Sequence, residues 1–131
     1  MHGRVQDMRQ GPVKLFHISD IHFGLEDRQA LAWVEDCIVM VRKHPHVYAD
    51  VSGVLLRPWM AYNFLRLATE WGILDKLLFG SDYPFVMTPQ ETIDRLRGIN
   101  DILEGTKLPR VPEDAIEEII HRDSLAMLGL E

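Results

Sequence analysis

The sequence predicts an α/β fold with elements in the order β-α-β-α-β-α-α and a parallel sheet. Three observations carry this. Short apolar runs rich in β-formers stand at 13–18, 47–51 and 76–80, and each ends in a polar cluster. The stretches between them repeat their apolar residues at helical spacing. The connections are short, so each crossover is right-handed and the strands are parallel.

Residues 1–12 are polar, contain two glycines and show no period, so they read as a frayed or disordered terminus. The first strand, 13–18, leads into Ser19-Asp20-Ile21-His22-Phe23-Gly24, which places Asp20 and His22 just beyond a strand end as potential metal ligands. From residue 27 Leu31, Val34, Ile38 and Val41 recur on one helical face. Pro45 stops that helix near His44, and Arg42 and Lys43 suit its C-terminal dipole. The second strand, 47–51, ends at Ser52-Gly53, with Asp50 either lining a pocket or shaping a turn. A helix over 57–72 follows, with Pro58 in its first turn and Met60, Phe64, Leu67 and Trp71 as its apolar stripe.

The third strand, 76–80, delivers Ser81-Asp82-Tyr83-Pro84. A carboxylate just past the carboxyl end of a parallel strand stands where α/β folds keep their chemistry. Ser and Asp also form turns, so strand logic alone leaves Asp82 balanced between turn former and catalyst. Thr88-Pro89-Gln90-Glu91 is a helix start with a capping box, and the helix it begins carries Ile93, Leu96, Ile99, Ile102 and Leu103 inward until Gly105. Residues 109–112 form a kinked linker. A last helix follows with Ile116, Ile119 and Ile120 on one face, then a final apolar turn through Leu125, Met127, Leu128 and Leu130.

With 131 residues, 47% hydrophobic and 26% charged, the chain has the composition of one globular domain. A formal charge of −6 with scattered lysines and arginines argues against nucleic acid and anionic membranes as partners. The single Cys37 excludes an internal disulfide and fits packing in a reduced, cytoplasmic setting. No run approaches the roughly 20 apolar residues of a membrane span, and the first dozen residues lack a signal peptide's apolar segment. Three parallel strands leave two unpaired edges, and a closed eight-stranded barrel takes about 250 residues, so this chain is expected to supply part of one. Its expected partners are a small-molecule substrate and either a second copy or a separate N-terminal half.

Several motifs occur together in order: Arg42-Lys43-His44-Pro45-His46-Val47-Tyr48-Ala49-Asp50-Val51-Ser52-Gly53, then Asp75-Lys76-Leu77-Leu78-Phe79-Gly80-Ser81-Asp82-Tyr83-Pro84-Phe85. Glu91-Thr92-Ile93 and Ile119-Ile120-His121-Arg122-Asp123 through Leu128-Gly129 continue the series. From about Trp33 to Leu130 the chain closely resembles the C-terminal portion of the amidohydrolase-related family, metal-dependent hydrolases and decarboxylases that include aminocarboxymuconate semialdehyde decarboxylase. The resemblance implies that residues 13–131 are part of a (β/α)8 TIM barrel, with the three strands at its sixth, seventh and eighth positions. It implies a divalent metal, zinc foremost, and Asp82 as metal ligand and proton carrier. The family's first-strand His-x-His pair and fifth-strand histidine have no counterpart here.

Residues 16–24, Phe16-His17-Ile18-Ser19-Asp20-Ile21-His22-Phe23-Gly24, separately resemble the first motif of the calcineurin-like metallophosphoesterases, whose Asp-x-His binds one ion of a two-metal site. That family's Gly-Asp, Gly-Asn and Gly-His pairs do not occur. His22 stands either as the sixth-strand ligand of an amidohydrolase or as a loop histidine, and His17 reads as a face histidine. Three functions follow as expectations: a hydrolase or decarboxylase fragment with little activity alone, a non-catalytic remnant that assembles through its strand edges, and a phosphoesterase fragment using Asp20 and His22.

Overall fold

The computed structural model describes residues 14–17 and 28–130, with side chains from residue 34 onward. The expected frayed segment 1–12 and the cluster holding Asp20 and His22 lie outside the described residues. Three strands, β1 (Lys14–His17), β2 (Val47–Asp50) and β3 (Leu77–Leu78), form a parallel sheet in the order β1-β2-β3. Helix α1 (Arg28–Lys43) joins β1 to β2, and α2 (Pro58–Glu70) joins β2 to β3. Helices α3 (Pro89–Arg97), α4 (Glu113–His121) and α5 (Ser124–Met127) follow. The predicted alternation of strands and helices is therefore present. No helix among the described residues is long and apolar enough to cross a membrane.

Val34, Ile38 and Val41 of α1 are buried, as their spacing predicts. The C-terminus of α1 is held by Lys76, whose Nζ donates to the carbonyls of Val41 and His44 at 2.6 Å each. A cation on the last carbonyls of a helix satisfies orphan acceptors and complements the dipole. Burial pushes the Lys76 ammonium below the ordinary lysine range, with neighbouring Asp75 acting the other way. Cys37 is half-buried beside the core, and burial followed by the charge of Asp36 raises its thiol pKa.

In α2 the buried residues are Ala61, Tyr62, Phe64, Leu65 and Ala68, so of the predicted stripe Phe64 is fully buried and the rest is not. Trp71 is 40% exposed, and Met60 and Leu67 only flank the core. The two alanines carry little hydrophobic weight in a sequence, but they let the helix approach closely, and that sets which face turns inward. Gly72, at φ 67, closes the helix: its N–H donates to Thr69 O and the Ile73 N–H to Ala68 O, a left-handed C-terminal cap that seats Ile73 in the core.

The third strand is shorter than predicted: Lys76 belongs to a turn of 3-10 helix, Leu74–Lys76, and the strand itself ends at Leu78. Thr88 and Glu91 form the predicted capping box. The Thr88 Oγ1 accepts from the Glu91 N–H, and a Glu91 carboxylate oxygen accepts from the Thr88 N–H at 2.7 Å. Helix α3 does not run to Gly105 as expected; it stops at Arg97 and caps at Gly98. The cause lies downstream. Asn100 is 3% exposed and lies flat against Val111, donating Nδ2–H to its carbonyl and accepting its N–H at Oδ1, each at 2.9 Å. That pairing draws the chain out of the helix and puts Ile99 and Leu103 into the core by a separate turn, Asp101–Leu103. Ile116 and Ile119 of α4 complete the interior. Each such apolar side chain contributes about 1.5–3 kcal/mol through burial.

Candidate functional site

The carboxyl ends of β2 and β3 lie side by side, since Asp50 pairs with Leu78 and the Val51 N–H donates to Leu78 O at 3.0 Å. On the other side of β2, Asp50 is in register with His17, the last residue of β1. The rim of the sheet thus gathers the final residues of all three strands.

Asp50 is 7% exposed, and its Oδ1 accepts both the backbone N–H of Ser52 at 3.0 Å and the Ser52 hydroxyl at 2.5 Å. An aspartate bonding the backbone two residues on is an Asx turn, so turn chemistry does describe Asp50. The same bonds fix a carboxylate at the strand end. Gly80 packs against this pair: a Cβ there would lie 3.4 Å from Ser52 Cβ and 3.8 Å from Asp50 Cβ, in ordinary contact. The spacing Asp50-x-Ser52 was the sequence signal for this couple, and the sequence reading treated Ser52 only as a strand terminator.

Asp82 stands two residues beyond Gly80 with φ 57, the described residue other than glycine that adopts a left-handed backbone. Its carbonyl accepts the N–H groups of Phe85 at 2.9 Å and Val86 at 3.1 Å, and the Tyr83 N–H donates to Ser81 Oγ at 3.3 Å. A tight turn therefore holds Asp82, with a cis peptide between Tyr83 and Pro84. Left-handed backbone in a residue with a side chain is uncommon, and aspartate is among the residues enriched there. Such conformations persist where surrounding structure imposes them, often at functional sites. Beside it Tyr83 is 64% and Phe85 88% exposed, leaving two aromatic rings open at the rim.

Of the predicted ligands, Asp82 is placed on the rim, whereas Asp20 and His22 lie outside the described residues. Among the described residues no three His, Cys, Asp or Glu side chains group so as to hold a metal ion. Asp82 alone is not a metal site. His44 is exposed and His46 half-buried at the far end of α1, away from this rim.

A groove of about 650 Å³ lies on the helical side, lined by Val34, Trp59, Met60, Leu67 and Leu108 among others and not by Asp82. It takes up the half-exposed edge of α2 that sequence reasoning had assigned to the core. A protein-family model described as Amidohydrolase matches residues 19–130. No curated protein and no solved structure matches the chain.

Proposed function

The chain belongs to the amidohydrolase family, and on that premise we propose that it is the C-terminal part of a (β/α)8 barrel hydrolase or decarboxylase. In this reading β1, β2 and β3 are the barrel's sixth, seventh and eighth strands. The substrate is a small cyclic or carboxylated molecule that enters over the carboxyl ends of the strands. The observation that carries the reading is Asp82, held in a left-handed turn two residues beyond Gly80, which itself packs against the buried Asp50 and Ser52.

In this role the Asp82 carboxylate accepts a proton during the reaction, and Asp50, fixed by Ser52, forms the neighbouring wall. Tyr83 and Phe85, both exposed, follow that aspartate in the same turn. A divalent ion, zinc foremost, held by Asp82 with Asp20 and His22, would supply Lewis acidity and acidify a water. Two or three ligands on an open rim hold a metal weakly, because both structural and catalytic sites want at least three in fixed geometry. The chain by itself is therefore expected to turn over little or no substrate.

Calorimetric titration of zinc into the metal-free protein tests the assignment of Asp82. The expected result is weak binding that Asp82→Asn weakens further, by about tenfold. Identical zinc affinity in the two proteins would remove Asp82 from the ligand set.

A further inference from the structure

Neighbouring strands of a parallel sheet lie about 4.8 Å apart and their residues alternate between its two faces, so residues in register share a face as close neighbours. Between β2 and β3 this holds twice. With Ala49 paired to Leu77, Tyr48 falls beside Lys76 and Ser52 beside Gly80. Lys76 Nζ stands over the Tyr48 ring at 5.3 Å, and a Cβ on Gly80 would lie 3.4 Å from Ser52 Cβ. Between β1 and β2 the same register pairs His17 with Asp50. The alternation puts positions 48, 50 and 52 on one face, and position 17 joins them there.

Asp50 is buried, and Ser52 binds it through one oxygen, its N–H and its hydroxyl both donating to Oδ1. The turn asks for no more than one acceptor, which an asparagine would also supply. Burying a full charge costs far more than burying an amide, so a carboxylate at this position calls for chemistry that uses its charge. The histidine in the adjacent register position can use it: either ring nitrogen can donate, and the ring takes up a proton near neutrality. A carboxylate beside an imidazole fixes its tautomer and its orientation.

We propose that Asp50, clamped by Ser52, is a positioning residue that holds the His17 imidazole at the mouth of the sheet. The strand order sets position 17 two strands away from β3, roughly 10 Å across from the strand that leads to Asp82. This role rests on the hydrolase or decarboxylase reading: a small substrate lying over β2 would have the Asp82 carboxylate on one side and an oriented imidazole on the other.

The pairing is tested without metal or substrate, so a failed zinc titration at Asp82 and a failed pairing are read separately. Proton NMR of the metal-free protein carrying isotope-labelled histidine, with the His17 ring assigned through bonds to its own backbone, should show a downfield ring N–H that exchanges slowly with water. Asp50→Asn should move that signal upfield and speed its exchange about tenfold, with Ser52→Ala in between. Absence of a slowly exchanging ring proton on His17 in the wild type overturns the proposal, and so does an unchanged signal in folded Asp50→Asn. Should Asp50→Asn not fold, Ser52→Ala carries the test, and exchange equal to that of the wild type overturns it.

Discussion

Replacing Asp82 with glycine and, separately, with alanine removes the same carboxylate and so isolates what the backbone asks of this position. At φ 57 an L side chain carries a left-handed penalty of about 1–2 kcal/mol, and glycine carries none. Alanine recovers about 0.4–1 kcal/mol by restricting the unfolded chain. The difference leaves Asp82→Gly more stable than Asp82→Ala by roughly 1 kcal/mol, or about 3–5 °C in Tm for a domain of this size. Any contact of the carboxylate is lost equally in both variants and cancels. Urea unfolding of the pair, with slopes checked for equality, measures the gap. An alanine variant as stable as the glycine variant would refute the claim that the turn imposes this conformation on Asp82. If the order holds, the turn itself requires the left-handed backbone at position 82.

Asn100→Ala should cost about 2–4 kcal/mol in urea unfolding, because it leaves both backbone groups of the buried Val111 without their partners; a loss under about 1 kcal/mol would contradict the tie. Glu91 is held below the ordinary carboxylate range, first by the Thr88 N–H and then by its hydroxyl. A depressed folded-state pKa stabilises above the unfolded value of about 4.3 and is lost as pH falls through the folded value. Stability of the wild type should therefore fall more steeply than that of Glu91→Gln below about pH 4.3, and parallel profiles would dismiss the capping role.

The legible features were local ones. Thr88, Pro89 and Glu91 announce a helix start within four residues, and the helix duly begins there. Val34, Ile38 and Val41 announce the inner face of α1 through spacing alone. What escaped depended on distant partners or on small residues. Arg95, Arg97 and Gly98 are a stop signal that the apolar run on to Leu103 masks, and the tie between Asn100 and Val111, eleven positions apart, is visible only in the structure. The inner face of α2 was misjudged because Ala61 and Ala68 count for little in a hydrophobic stripe, while Trp71 counts for much and sits half outside. At the rim, a strand followed by Asp82 and a proline puts the aspartate just past the third strand, where it lies, but its left-handed backbone and the bond between Asp50 and Ser52 needed the structure. Arg122 belongs to the motif His121-Arg122-Asp123, and no pattern in one sequence links it to the Leu77 carbonyl to which its guanidinium donates.

The central claim is that this chain contributes the carboxylate of an amidohydrolase site without forming a working site alone. Turnover by the isolated, homogeneous, zinc-supplemented protein, assayed on small cyclic amides and carboxylates beside its Asp82→Asn variant, tests that most directly. The account predicts no turnover above the Asp82→Asn background. Measurable turnover that disappears with Asp82→Asn would contradict it.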